Sequence, residues 1–382
     1  MWRWHHILLV VLLLVPFALF LRGMCFARSA AMQVVCTDCH IMHNSEGGLR
    51  QALDYNSNLT ANPLDGLMNK TCLGCHTGAN DGLTPMVFNS TAPNYDLTAG
   101  STHETLAGGN FHWIATGTDD LKGHNIFEID TVQNSRVPPG SPGAGKTFDA
   151  TTPLTCAGEN GCHGYRAPGS GTNQVRAIWG AHHVGTSLSS DGSTPGRSYR
   201  YLLGVKGYED PDWEYSMDQG ATYGHNQYRG KDRTADGDDT NTDITTISHL
   251  CADCHGDFHN GAGSAGVSNS GFQSPWIRHP VDFDMGRVSA SAGSEYAHYG
   301  GGTDGAYMIR TPLASNTADN DTPATMLSTV TLTSAAGDAI ITCITCHRAH
   351  GSPYDYSLRW DYKNWPGGNL DGGCYDCHTA KN

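Results

Sequence analysis

The sequence predicts a mostly irregular chain with a few short helices and minor β-hairpins. It has too few apolar side chains to fill its interior by themselves, so bound groups are expected to form much of the core. Forty-seven glycines and 17 prolines among 382 residues favour loops. Hydrophobic residues make up only 38% of the chain, against roughly 45% in ordinary globular domains. Short helical turns are expected at six cysteine pairs, each followed by a histidine. One hairpin is predicted where Thr329–Thr333 and Ala339–Thr342 flank a loop.

Five of the cysteine motifs read Cys-x-x-Cys-His, and the sixth has five residues between its cysteines instead of two. The pairs are Cys36 and Cys39, Cys72 and Cys75, Cys156 and Cys162, Cys251 and Cys254, Cys343 and Cys346, and Cys374 and Cys377. The histidines that close them are His40, His76, His163, His255, His347 and His378. Cys-x-x-Cys-His is the attachment signature of c-type haem: two thiols bond to the macrocycle and the histidine faces the iron. The sequence therefore predicts six haem c groups, stacked to form a core.

Two other uses of paired cysteines compete with this interpretation. A zinc site needs two pairs brought together, whereas each pair here carries its own histidine. In the stretched motif, a disulfide between Cys156 and Cys162 is sterically possible. Gly158 and Gly161 would, however, let the longer loop bulge away from a macrocycle, which favours haem there as well.

The second axial position of each iron decides between electron transfer and substrate binding. Of 20 histidines, His5 and His6 lie near the N-terminus and six close the motifs, which leaves twelve. These are His43, His103, His112, His124, His182, His183, His225, His249, His259, His279, His298 and His350. Six irons need six further ligands, so histidine on both sides of every iron is expected, ahead of methionine. A lone histidine such as His112 or His225 is more simply a packing or surface residue.

His43 follows His40 by three residues, and His350 follows His347 by three. Residues three apart on a helical turn share a face, so the second imidazole cannot reach the opposite side of the same iron. It can reach another haem stacked nearby, and His259 could do the same. Such segments are therefore predicted to hold two irons close together.

The N-terminal residues have the pattern of a secretory signal. Positive charge precedes an apolar run over 7–21, and small residues offer cleavage after Ala27 or as late as residue 31. The predicted organisation is a signal peptide over 1–27 and a single domain over 28–382, with no membrane-spanning segment in the mature protein. The formal charge of −14 and the absence of a Lys/Arg cluster argue against nucleic acid, and suit cationic partners, metal oxides or simply a well-solvated surface.

Several segments resemble, in the same order, those of the OmcS-type hexahaem cytochromes. They are Cys36–Gly48, Leu121–Ile126, Cys251–Asn260, Arg278–Pro280, Cys343–His350 and Cys374–Lys381. The resemblance runs from about residue 34 to the C-terminus. It implies an extracellular electron-conducting filament with a continuous chain of parallel-stacked and T-shaped haem pairs.

The resemblance also implies which histidines are the distal ligands. His43 of one subunit would ligate the haem held by Cys343 and Cys346 in the next. The other family-like positions are His103, His124, His259, His279 and His350. The stretched motif lacks the family's closely following histidine, and His182 or His183 is the candidate substitute. His298 is the candidate for another family histidine, which precedes the fifth motif.

Three functions follow from these patterns. The favoured one is a secreted, homopolymeric subunit for long-range extracellular electron transfer, with other multihaem cytochromes or extracellular metal oxides as redox partners. A monomeric periplasmic shuttle would take every ligand from one chain. A multihaem reductase is least favoured, because no motif carries the lysine that often marks an open iron.

Overall fold

Regular secondary structure is sparse and short in the structure, which is a computed structural model. The described residues are 39–41, 45–46, 49–54, 56–60, 62–64, 67–80, 84–95, 105–115, 120–130, 136–140, 146–166, 202–210, 214, 225–232, 243–259, 281–289, 295–301, 304–319, 327–364 and 373–377. Within them the longest helix has 13 residues and the longest strands have three. The predicted fold class, mostly irregular with short helices and minor strands, is confirmed.

Helical turns occur at the second, fourth, fifth and sixth cysteine motifs, as predicted, but the prediction is wrong for the stretched third motif, which has none. The α-helices are α1 (Cys72–Cys75), α2 (His112–Ala115), α3 (Ile247–His259), α4 (Gly286–Ser289) and α5 (Cys343–Cys346). The 3-10 turns are Asp120–Lys122, Glu295–Gly301, Asp355–Ser357, Tyr362–Asn364 and Gly373–Asp376. Thr71 precedes α1, and its hydroxyl accepts a hydrogen bond from Gly74 N–H at 3.1 Å, which starts the helix directly at the first cysteine.

The strands of the described chain form three small sheets. They are β1 (Ser45–Glu46), β2 (Leu49–Arg50), β3 (Gly207–Tyr208), β4 (Gln227–Arg229), β5 (Phe283–Asp284), β6 (Asp304–Ala306), β7 (Ala314–Ser315), β8 (Thr329–Thr331) and β9 (Ile340–Ile341). The largest sheet has the order β3-β4-β7-β9-β5 and is antiparallel except between β4 and β7. The other two sheets are the antiparallel pairs β1–β2 and β6–β8.

The hairpin predicted from Thr329–Thr333 and Ala339–Thr342 is wrong, because its two strands pair elsewhere. β8 pairs with β6, and β9 lies between β7 and β5. The Asp338 carboxylate accepts hydrogen bonds from the Thr331 backbone N–H at 3.1 Å and from its hydroxyl at 2.8 Å. A side chain therefore satisfies the amide that a hairpin partner would have bonded.

Apolar side chains form three buried clusters in the described part of the chain. One, around Tyr299 and Leu313, packs between β5, β6, β8 and β9; a second, around Tyr228, joins the five-stranded sheet to α3. The third, around Phe111, lies beneath α1 and α2. The expectation that side chains contribute little to the interior is thus wrong for the strand-rich part. Cys377 packs against the first cluster and Cys156 against the third, so the cysteine motifs border these clusters.

No helix among the described residues is both long enough and apolar enough to span a membrane. The predicted signal peptide lies outside the described residues.

Candidate haem sites

Most residues of the six cysteine motifs are described. Eleven of the twelve predicted haem-binding cysteines lie in the described part of the chain. The predicted site residues that lie outside the described part are Cys36, His43, His103, His182, His183, His279 and His378, together with the side chain of His259. Their roles stay predictions.

Thiols of neighbouring motifs lie against each other. The sulfurs of Cys72 and Cys156 lie within 4.8 Å of each other and of a Glu128 carboxylate oxygen. The contact from the Cys72 thiol, followed by burial, raises the pKa of Cys156. The contact from Cys343 has the same effect on the pKa of Cys251. The second motif is thus adjacent to the third, and the fourth to the fifth.

The other junctions show the same order along the chain. Burial raises the pKa of Cys75, and the nearby Cys39 raises it further. Burial raises the pKa of Cys162 to about 11, with a further contribution from Cys254. Burial raises the pKa of Cys346 to about 12, with a further contribution from Cys374. Cys162 keeps an exposed surface, yet enough protein surrounds it that lost hydration dominates its pKa. Each of motifs two to five therefore lies near the motif before it and the motif after it. The attachment points form a single file in sequence order.

The stretched motif keeps the backbone contact that closes the regular motifs. In α1, His76 N–H donates to Cys72 C=O at 3.0 Å. In the stretched motif, His163 N–H donates to Cys156 C=O, also at 3.0 Å, across three more residues. In both kinds of motif, therefore, the backbone of the closing histidine is hydrogen-bonded to the first cysteine.

Two glycines make this extension possible. Gly158 has a φ of +97°, a backbone conformation that residues other than glycine rarely adopt. A Cβ on Gly161 would lie 2.6 Å from the backbone nitrogen of Ala157. The extra residues thus fold into a tight turn that only glycine accommodates at these positions.

Backbone carbonyls orient three motif imidazoles. The Nδ1–carbonyl distances are 2.7 Å for His76 to Pro85, 2.6 Å for His255 to Pro139 and 2.7 Å for His347 to Tyr356. Because a carbonyl only accepts hydrogen bonds, Nδ1 must donate, and Nε2 then carries the lone pair that a metal needs.

Each of these rings is also held in the neutral form. Burial lowers the pKa of His76, His255 and His347, although His347 retains an exposed edge. For His255 and His347, the nearby imidazole of His124 lowers the pKa further. Neutral imidazole is the form that ligates iron.

Two pairs of imidazoles lie at the separation that a shared iron requires. The ring centroids of His163 and His350 lie 6.1 Å apart with planes at 39°, and those of His124 and His255 lie 6.1 Å apart at 51°. Two imidazoles on opposite sides of one metal, each bonded at about 2 Å, have centroids about 6 Å apart. The residues present therefore fit haem c with two histidine ligands at the third and fourth motifs.

Close backbone contacts at glycines bring these imidazoles together. Gly109 and Gly123 each form a bridge with Gly351, and His350 N–H donates to Gly108 C=O at 2.7 Å. A Cβ on Gly109 would lie 2.0 Å from the Gly351 carbonyl oxygen. The backbone at Gly109 and Gly123 can approach Gly351 this closely only because none of the three residues has a side chain.

Neighbouring groups fix the imidazoles of His124 and His350 at this crossing. Nδ1 of His124 lies 2.6 Å from the Ala349 carbonyl oxygen, the same kind of anchor that the motif histidines have. The Phe111 ring stacks on His350 with centroids 4.8 Å apart.

The helical explanation for the His-x-x-His segment is wrong at the fifth motif. α5 ends at Cys346, and His347 has an extended backbone, with φ −112° and ψ 155°. His347 and His350 therefore do not share a helical face. His350 nevertheless lies opposite the imidazole of another motif, which is the arrangement that the sequence suggested for it. The imidazole of His350 lies near that of His163. His182 and His183, the candidate partners of the third motif, lie outside the described residues, so that assignment stays a prediction.

The remaining described histidines divide into distinct environments. His225 contacts backbone carbonyls through both ring nitrogens, at 2.7 and 2.6 Å, and stacks on Tyr307, so it is a packing residue. His298 is exposed in the 3-10 turn over 295–301. His112 is buried, with Nδ1 2.8 Å from the Asn89 carbonyl oxygen. It has the anchor of a ligand, a feature that its place in the sequence did not reveal.

Comparisons with known proteins extend these observations. Residues 335–382, which hold the last two motifs, match the family model described as "Doubled CXXCH motif". The chain is 26% identical over 369 residues to "C-type cytochrome OmcS" of Geobacter sulfurreducens, covering 88% of this chain and 81% of that protein.

Two solved structures are also similar. One is the "Outer Membrane Cytochrome S Filament from Geobacter Sulfurreducens", with a TM-score of 0.44 and 22% identity over 87% of this chain and 85% of that one. The other is "Cryo-EM of the OmcS nanowires from Geobacter sulfurreducens", with a TM-score of 0.45 and 21% identity over 86% and 84%. Over most of its length the chain is thus similar in sequence to a C-type cytochrome, and its last two motifs match the doubled Cys-x-x-Cys-His family.

Proposed function

We propose that this protein transfers electrons over long distances through six covalently bound haem c groups, as a subunit of a secreted extracellular filament. The observation that carries the proposal is the single file of cysteine motifs, in which neighbours along the chain are neighbours in space. Two imidazole pairs at metal-bridging distance and the similarity to a C-type cytochrome support it.

The chain's own residues would position and insulate the redox groups. Bound haem c supplies a one-electron iron couple. The paired thiols fix the edge of each macrocycle, and the carbonyl anchors hold the imidazole planes. An imidazole on each side of an iron leaves no position for a substrate, which favours a carrier over an enzyme.

The finer part of the proposal is assembly through a shared ligand. We propose that His43 of one subunit binds the iron held by Cys343 and Cys346 of the next. Such a bond would give the subunit contact a direction, and would place the first motif of one subunit beside the fifth of its neighbour. The resemblance of the first motif region to filament cytochromes supports this assignment.

Three measurements on the secreted wild-type protein test the proposal. Intact mass should show six haems per chain, visible and EPR spectra should show low-spin iron, and electron microscopy should show a polymer. Substantially fewer than six haems would contradict the proposed conduit.

His43→Ala tests the shared ligand and separates the filament from a monomeric shuttle. The variant should stay monomeric, with one iron lacking its distal ligand. His225→Phe, a change at a histidine whose two ring nitrogens contact backbone carbonyls, is the control and should polymerise normally. Normal polymerisation of His43→Ala would favour the shuttle, and rapid cyanide or nitrite binding by wild-type protein would favour a reductase.

A further inference from the structure

We propose that Asn80 is a positioning residue for the haem at the second motif, because its side-chain amide holds the peptide unit that orients the His76 imidazole. The inference rests on the proposed function, since it requires haem c attached at Cys72 and Cys75 with His76 on its iron.

Two hydrogen bonds meet at the single peptide unit that joins Pro85 to Met86. Nδ1 of His76 donates to the Pro85 carbonyl oxygen at 2.7 Å. The Met86 N–H, at the other end of the same unit, donates to Asn80 Oδ1, also at 2.7 Å. Because a peptide unit is planar and rigid, fixing its N–H also fixes the direction of its C=O. Asn80 therefore holds in place the group that anchors the His76 ring.

The Asn80 amide binds Met86 at both of its backbone groups. Nδ2 donates to the Met86 carbonyl oxygen at 3.0 Å, in addition to the bond that Oδ1 accepts. A backbone carbonyl only accepts and an N–H only donates, so an amide side chain matches both partners at once. Aspartate would supply only the accepting half of this contact. Two bonds to one residue keep the Pro85–Met86 peptide unit from rotating.

The neighbouring backbone leaves the support of this peptide unit to a side chain. Pro85 has no N–H with which to bond another segment. Further along the chain, Val87 N–H donates to His76 C=O at 2.9 Å. Between these two residues, Met86 directs both of its backbone groups to Asn80. The carbonyl that anchors the imidazole is thus supported by the Asn80 side chain.

The contact also has an electronic consequence at the iron. Hydrogen bonds at the two ends of one peptide unit polarise it in the same sense and strengthen each other. A stronger hydrogen bond from Nδ1 makes the His76 imidazole a more basic ligand. Because a more basic ligand favours ferric over ferrous iron, an intact Asn80 contact holds this haem at a lower reduction potential.

Spectroelectrochemical titration of variants tests the electronic effect. Asn80→Ala should keep six haems by mass and shift one reduction step to higher potential. Asn80→Asp retains an acceptor for Met86 N–H, so it should keep that step at or below its wild-type potential. Asn58→Ala is the matched control and should leave every step unchanged, because the Asn58 side chain bonds Asp54 in an exposed turn.

EPR spectra of the oxidised protein give a second readout. In Asn80→Ala, about one-sixth of the low-spin signal should change its g values, because the plane of the His76 ring is no longer fixed. All of the iron should stay low-spin, since His76 itself remains. A merely structural role for Asn80 would lower stability without moving the reduction step or the g values.

The outcomes separate failure of the inference from failure of the proposed function. Six low-spin haems with unchanged reduction steps and g values in Asn80→Ala overturn the positioning role alone. Wild-type protein without haem at the second motif overturns both, and peptide mass mapping identifies that case. If Asn80→Ala does not fold, a density map of the wild-type holoprotein decides. It should show Asn80 Oδ1 about 3 Å from the Met86 nitrogen, and a map without this contact overturns the inference.

Discussion

The imidazole of His350 lies opposite that of His163, with ring centroids 6.1 Å apart. His163 closes the third cysteine motif, and His350 follows the fifth. Gly351, the residue after His350, forms bridges with Gly109 and Gly123, and these contacts hold the segment that carries His350. The proposed site for one iron is therefore assembled from residues far apart in the sequence.

Replacing His124 by alanine should leave the fourth-motif iron without its distal ligand. About one-sixth of the iron should become high-spin and bind carbon monoxide, as measured by EPR and by absorption of the reduced protein. His225→Phe is the matched control, because His225 uses both ring nitrogens to contact backbone carbonyls. That variant should lose about 1–3 kcal/mol of stability and keep every iron low-spin. A low-spin spectrum for His124→Ala would contradict the pairing with His255.

Deleting residues 158–160 should convert the stretched motif into a regular Cys-x-x-Cys-His without loss of haem. The reason is that His163 N–H already reaches Cys156 C=O as in a regular motif, and the extra residues form only a turn. Intact mass should still show six haems. Cys162→Ala is the control, and should weaken or abolish attachment at this motif alone. Loss of haem from the deletion variant would show that the turn itself is needed.

Substituting alanine for Gly109 should disrupt the crossing that places the distal imidazoles. The added Cβ would lie 2.0 Å from the Gly351 carbonyl oxygen, at a φ of +88°. Gly204→Ala is a matched control, since Gly204 has a φ of +86° and no atom within 4 Å of an added Cβ. Gly204→Ala should cost about 1 kcal/mol from backbone strain alone. Gly109→Ala should cost about 3 kcal/mol or more in denaturant unfolding, and should raise the high-spin fraction. Equal effects of the two substitutions would contradict a steric role for Gly109.

Asp149 should contribute stability that disappears only at strongly acidic pH. Hydrogen bonds from the Thr151 hydroxyl, and then from the Thr152 and Thr151 backbone N–H groups, lower the pKa of Asp149 to about 2. A lowered folded-state pKa means that the contribution is complete above about 3.8, the ordinary aspartate value, and is lost as the pH falls to about 2.

The difference in thermal midpoint between wild type and Asp149→Ala should therefore be constant from pH 7 to about 5 and vanish near pH 2. Asp54→Ala is a comparison at another turn carboxylate that accepts backbone N–H groups. A difference that stays constant down to pH 2 would mean that the Asp149 charge contributes nothing.

Composition was sufficient to predict the mostly irregular fold, and the cysteine motifs predicted the helical turns that four of them have. The helical turn at the second motif depends on a local pattern, since Thr71 caps α1 immediately before Cys72. The predicted hairpin failed because Asp338 bonds the Thr331 amide, a competition that strand propensity does not register. The side-chain clusters of the strand-rich part were underestimated because average composition hides local concentrations of apolar residues.

The distal ligands were harder to predict than the fold class. His124 and His350 were chosen through resemblance, and their partners could not be assigned from spacing, because the crossing at Gly109 and Gly351 is a tertiary feature. His112 lacked any spacing signal. Its environment becomes apparent only from its burial and from the Asn89 carbonyl oxygen beside its ring.

The crossing of the two glycine segments limits how this protein can be shortened. Truncation before residue 343 would remove two attachment motifs, yet it would also remove His350 and the Ala349 carbonyl that anchors His124. The third motif would then keep its cysteines but lose the nearby imidazole of His350. The fourth motif would keep its cysteines, but His124 beside it would lose its hydrogen-bond partner. Cysteine motifs therefore cannot be deleted one at a time from the C-terminal end without affecting earlier motifs. A shorter variant would also need substituted residues that replace the lost imidazole and its support.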